Sequence, residues 1–163
     1  MTAKPIQKIT PHLWYAKEAE EAARFYVEIF PGSRIDRVTP LPAASPSGPA
    51  GSVKLVEFTL SGQAFMAISA GPLDMFNHAI SFVVQCDDQA EIDHYWNGLL
   101  NQGSAEQCGW LKDKYGVSWQ IVPVVLGQMM TDPDRDKARR AAEAMLRMVK
   151  LDIAGLKAAF DGG

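Results

Sequence analysis

The chain has 163 residues, 47% of them hydrophobic and 21% charged, with a formal net charge of -3; that is enough for one well-buried core and short for two ordinary domains. A sequence pI near 5.6, with no Lys/Arg stripe interleaved with aromatics, argues against a nucleic-acid surface, and the basic run "RDKARR" at Arg135–Arg140 reads as a solvated helix face. "MTAKPIQK" lacks an apolar leader segment and no apolar run approaches the roughly 18 residues of a membrane span, so a single cytoplasmic domain over residues 1–163 is expected.

In chain order, Ile6–Tyr15 reads as a strand and Glu18–Phe30 as a helix, with Ala19, Ala22, Ala23, Tyr26 and Ile29 at helical spacing and "PGS" closing it. A strand at Arg34–Thr39 precedes "PLPAASPSGPAGS", Pro40–Ser52, whose Pro, Gly and Ser content predicts a mobile loop. "VKLVEFTL" and "AFMAIS" form the arms of a hairpin around Gly62. The order then repeats: strand Ala79–Cys86, helix Asp88–Asn101, a turn at Gln102-Gly103, a weak strand at Ser104–Gln107, and the arms "GWLKD" and "VSWQIVP" around "KYG". Ile9-Thr10 then aligns with Ile80-Ser81, Phe25-Tyr26 with Tyr95-Trp96, and Gly62 with Gly116. Two β-α-β-β-β copies at a period of about 55 to 70 residues indicate an internal duplication rather than a solenoid.

The modules span about residues 5–72 and 77–124, followed by a helical extension over about 126–161. There, Thr131 or Asp132 is expected to cap a helix carrying Pro133 in its first turn and Ala138, Ala142, Met145 and Val149 on one face; Asp152 caps a second helix. These helices cover either their own core or a second chain. Cys86 and Cys108 sit in no zinc-ligand spacing and read as reduced, structural thiols.

The segments "ITPHLWY", "EEAARFYVEIFPGS", "AISFVVQCDDQAEIDHYW", "CGWLKDKYGVSWQIVP" and "DPDRDKARRAAEAMLRMVKLDIAGLKAAF" resemble the vicinal oxygen chelate superfamily of glyoxalases, extradiol dioxygenases and bleomycin-resistance proteins. More narrowly, they resemble its PhnB-like group, often labelled 3-demethylubiquinone-9 3-methyltransferase domain. The resemblance implies an α+β fold with two curved mixed sheets around a cavity, which in enzyme members holds a divalent metal on His and Glu from the first and last strands of each module. Carried over by position, those slots fall on Thr10, Met66, Ser81 and Gln120. Two hydroxyls, a thioether and an amide are poor donors for Zn, Ni, Mn or Fe, so no metal and no other cofactor is expected.

Three histidines are the candidate replacement ligands. His12 shares strand parity with Thr10 and should face the cavity beside Trp14; His78 belongs to a surface turn and His94 to an exposed helix face. A His12–His78 metal pair would need a bulge in one strand. Ser81, His12 and Glu57 or Asp113 can be written as a hydrolytic triad, but no G-x-S-x-G elbow surrounds the serine. The turns "AKEAEE" and "CDDQAE" contain no glycine, unlike the glycine-rich turn expected of an S-adenosylmethionine site.

Strand parity places His12, Trp14, Met66, Ile68, Ser81, Val83, Ser118 and Gln120 on the cavity face, and Leu13, Tyr15, Phe65, Phe82, Trp119 and Ile121 against the helices. The cavity-face side chains either fill a core or line a pocket; in the second case His12, Trp14, Met66, Ser81, Ser118 and Gln120 are the ligand-binding candidates. Two functions stand side by side. One is a metal-free protein binding a small, largely uncharged organic molecule. The other is an enzyme with a rearranged metal site or the labelled methyl transfer. A homodimer without nucleic-acid or membrane partners is expected, because duplicated sheets leave open edges.

Overall fold

The structure, a computed structural model, describes residues 7–163. It divides into two compact units, Met1–Asp74 and Met75–Gly163.

The first unit runs β1 (His12–Tyr15), α1 (Ala19–Ile29), β2 (Arg34–Pro40), β3 (Lys54–Leu60) and β4 (Gln63–Ser69). Its sheet has the order β1-β4-β3-β2, with β1 parallel to β4 and the other pairs antiparallel. The five apolar positions at helical spacing in α1 are all buried. Tyr26 stacks on Phe58 and Phe58 on Phe65, with ring centroids 6.4 and 5.4 Å apart, and the Tyr15 and Tyr26 hydroxyls meet at 3.1 Å. Hydrophobic burial thus fixes α1 on one face of the sheet and leaves the alternate side chains on the other.

The second unit repeats this order: β5 (Ser81–Cys86), α2 (Gln89–Leu100), β6 (Ser104–Ala105), β7 (Trp110–Lys112) and β8 (Ser118–Pro123). The sheet order is β5-β8-β7-β6, again with its first and last strands parallel. Asp88 caps α2 by accepting from the Glu91 amide. Three helices follow: α3 (Val124–Met130), α4 (Arg135–Arg147) and α5 (Ile153–Asp161). They build a cluster of their own from Leu126, Met129, Ala141, Ala144, Leu151 and Leu156, with Val122 of β8 packed against it.

Several elements differ from the sequence expectation. The first strand begins at His12 rather than Ile6, which lies outside the described residues; Pro11 has no amide to give a ladder and Ile9 is 87% exposed. The fifth strand begins at Ser81 rather than Ala79, whose amide bonds the Asn77 side chain. The sixth stops at Ala105, because the chain turns through positive φ at Cys108 and Gly109 to give both amides to the carbonyls of Met148 and Val149. The Pro40–Ser52 segment is closed by its own bonds, among them Leu41 to Val53 and Gly51 to Leu41.

Helix α3 adds a third helix to the two expected in the extension. The residue capping its C-terminus, Thr131, turns its hydroxyl back to the Gly127 carbonyl at 2.9 Å, so the cap of α4 passes to Asp134, which accepts from Asp136 and Lys137 and leaves Pro133 outside the helix. The buried face of α4 is Ala138, Ala141 and Ala144 rather than Ala142, Met145 and Val149, and Val149 is exposed.

Candidate functional site

In the first unit, the ladder places Arg37, Glu57, Met66 and His12 side by side on β2, β3, β4 and β1. This row lies on the face away from α1. His12 is exposed, and its imidazole has no hydrogen-bond partner among the described residues. Met66 is half-buried, and Trp14 gives its indole N–H to the Gly71 carbonyl at 2.8 Å, which ties the end of β4 to β1.

Around this row lie charges that the sequence reading did not gather. Arg34 forms an ion pair with Asp36 at 2.7 Å, Arg37 meets Glu57 through Nε, and the buried Thr59 hydroxyl donates to Asp36 at 2.6 Å. The Glu57 contact holds the Arg37 guanidinium above its ordinary pKa, chiefly through the side-chain hydrogen bond. A cavity of about 350 Å³ opens here, lined by Thr10, Arg34, Asp36, Glu57, Thr59 and Met66 among others. The signal was present in the alternation of "RIDRVT", but a register shift between Ile35 and Arg37 changes which side chains share a face.

In the second unit, Ser81 lies opposite Ser118, and Val83 opposite Gln120, across the parallel β5–β8 pair. The Gln120 amide donates to the Ser81 hydroxyl at 2.9 Å. Val83 is half exposed beside them. Ser118 is buried, and its hydroxyl has no partner among the described residues.

Asp113 is also buried: Oδ1 accepts from the Tyr115 and Val117 amides at 2.8 and 3.1 Å, and Oδ2 from the Trp119 indole at 2.9 Å. It ties the "DKYGVSW" hairpin, while Glu57 is paired through one oxygen with Arg37. His78 and His94 are both exposed, the first in a turn and the second on α2.

The metal implied by the fold resemblance does not fit these residues. Thr10, Met66, Ser81 and Gln120 offer no charged or imidazole donor, and among the described residues no group of three or more His, Cys, Asp or Glu could hold an ion. An S-adenosylmethionine site fits no better. At the start of α1 the Lys17 and Ala19 amides are taken by Glu18 and Ser69 side chains, and at α2 the Asp87 and Glu91 amides are taken by Glu91 and Asp88. Both turns present acids instead of open amides.

The sequence pattern of the 3-demethylubiquinone-9 3-methyltransferase family matches residues 7–122. Among solved structures, a Bacillus cereus PhnB protein provisionally described as a 3-demethylubiquinone-9 3-methyltransferase is 34% identical, covering 72% of this chain and 100% of its own, with a TM-score of 0.64. A Pseudomonas aeruginosa protein is 21% identical over 72% of this chain and 98% of its own, with a TM-score of 0.56. A glyoxylase/bleomycin resistance protein/dioxygenase domain from a Frankia species is similar at 10% identity and a TM-score of 0.48, over 72% and 97% of the two chains. No curated protein matches the chain.

Proposed function

Since the chain belongs to the 3-demethylubiquinone-9 3-methyltransferase family, in its PhnB-like form with a vicinal oxygen chelate fold, we propose that it binds a small organic molecule of no net charge on the helix-free faces of its sheets, without a metal. The carrying observation is the Gln120 amide held on the Ser81 hydroxyl at 2.9 Å, at a position where the fold resemblance implies a metal-binding glutamate. An amide keeps the reach of glutamate and both donates and accepts, so it can hold a ligand carbonyl or hydroxyl, while contributing little to a divalent cation. Val83, half exposed beside it, supplies apolar surface.

The test is a thermal-shift screen of untagged protein against a metabolite and antibiotic panel, with and without EDTA. A ligand at about 100 times its Kd adds roughly 2.7 kcal/mol to stability. Chelator-independent stabilisation by a neutral compound supports the reading; loss of melting temperature on chelation, restored by added metal, refutes it.

The same proposal includes a cytoplasmic homodimer. Its support is the exposed apolar surface of Ile9 (87%) and Ile80 (74%), which closely precede β1 and β5, each a sheet edge. Sedimentation at micromolar concentration giving only a 17.9 kDa species removes it.

A further inference from the structure

We propose that the cavity on the helix-free face of the first unit binds a small zwitterion, with its oxyanion on the terminal amino groups of Arg34 and its ammonium on the open oxygen of Glu57. This rests on the small-molecule reading above and gives it a ligand class.

Both charges are held in place. Arg34 engages Asp36 through Nε alone, leaving both terminal nitrogens without a partner among the described residues. Glu57 uses only Oε2, on Arg37, so Oε1 remains open. Asp36 has both oxygens occupied, by Arg34 and by the buried hydroxyl of Thr59, and is removed as a competing site.

Arg34, Asp36 and Glu57 line the recess of about 350 Å³, and with Asp36 fully engaged the groups left open there are one cation and one anion. A molecule with separated charges but none overall compensates both. Arg34 faces Thr59 in the ladder, two residues from Glu57 on β3, so the backbone positions that carry the two open groups are about 7 Å apart along the strand. Thr10 offers a hydroxyl at the rim, and Met66 and Ala64 offer apolar contact for the ligand's body.

The test is a ¹⁵N NMR titration of the full chain with phenylalanine, N-acetylphenylalanine and phenylalaninamide, which keep one body and remove the ammonium or the carboxylate in turn. The expected result is that phenylalanine shifts amides of Arg34, Glu57, Thr59 and Met66, with at least tenfold weaker binding of either capped compound. Arg34→Gln and Glu57→Gln should each weaken phenylalanine at least fivefold, with amide spectra unchanged away from the cavity. Equal affinity for all three compounds overturns the zwitterion assignment and leaves small-molecule binding standing, as do shifts confined to Ser81 and Gln120. No shift with phenylalanine also overturns the assignment, while the thermal-shift panel judges the broader reading separately.

Discussion

The side chain of Gln120 on β8 reaches across one strand spacing to Ser81 on β5, Nε2 to Oγ at 2.9 Å. This contact orients both groups. Replacing Gln120 with Glu removes the donor and puts a charge in a half-buried place, so a neutral ligand should bind at least tenfold more weakly. The variant should still gain no tight metal site, because Thr10, Met66 and Ser81 remain poor donors. Calorimetric titration with Ni²⁺ and Zn²⁺ checks this, and submicromolar binding by the variant contradicts it.

Asp113 is expected to be a stability residue with no part in binding. Asn at this position offers one acceptor oxygen where two are used, so either the Tyr115 and Val117 amides or the Trp119 indole loses its partner. Urea unfolding of Asp113→Asn should show a loss of about 2–4 kcal/mol with the m-value unchanged.

The thiols should react very differently. Burial, with the Glu91, Asp87 and Asp88 charges adding to it, pushes the Cys86 thiol up from 9.0 to about 12; Cys108 is only partly buried. Alkylation of native protein at pH 8, read by peptide mass spectrometry, should label Cys108 alone, and unfolded protein should be labelled at both. Because the folded-state value of Cys86 lies above the unfolded one, its contribution to stability is complete below pH 9 and is lost as the pH rises towards 12. Cys86→Ala should therefore show a shallower loss of stability than the parent across that alkaline range.

Gly103 is required for space. A Cβ there would stand 2.2 Å from the Lys112 carbonyl oxygen and 3.1 Å from the Asp113 backbone, neither of which can swing away. Gly103→Ala should cost about 1–3 kcal/mol in urea unfolding, whereas Gly127→Ala, with nothing within 4 Å of the added carbon and a helical position in α3, should be neutral or slightly stabilising.

Arg140 closes α5 from outside, its Nε and Nη2 donating to the Ala159 and Phe160 carbonyls at 3.0 and 2.8 Å. Both carbonyls belong to the last turn of the helix, where backbone donors run out; the Ala159 carbonyl also accepts from the Gly162 amide at 3.2 Å. Arg140→Ala should lower stability by about 1–2 kcal/mol, and hydrogen exchange should rise first in α5.

The duplication, the order of the elements in each module and the buried positions of α1 were legible in the sequence, because the periods of 3.6 and 2 are imposed by backbone geometry and survive in any packed structure. The neutral character of Thr10, Met66, Ser81 and Gln120 was legible too, since a side chain's donor chemistry does not depend on its surroundings. What only the tertiary structure decided depends on which distant strands meet. The register shift in β2 set Arg34, Asp36 and Arg37 around Glu57; no local period encodes a bulge. Packing among α3, α4 and α5 selected Ala141 and Ala144 over Ala142 and Met145, because the face a helix buries is chosen by its neighbours. The Asp113–Trp119 contact likewise converted a carboxylate that a sequence offers to catalysis into one that holds a hairpin, since the role of a charged group is set by the donors the fold brings to it.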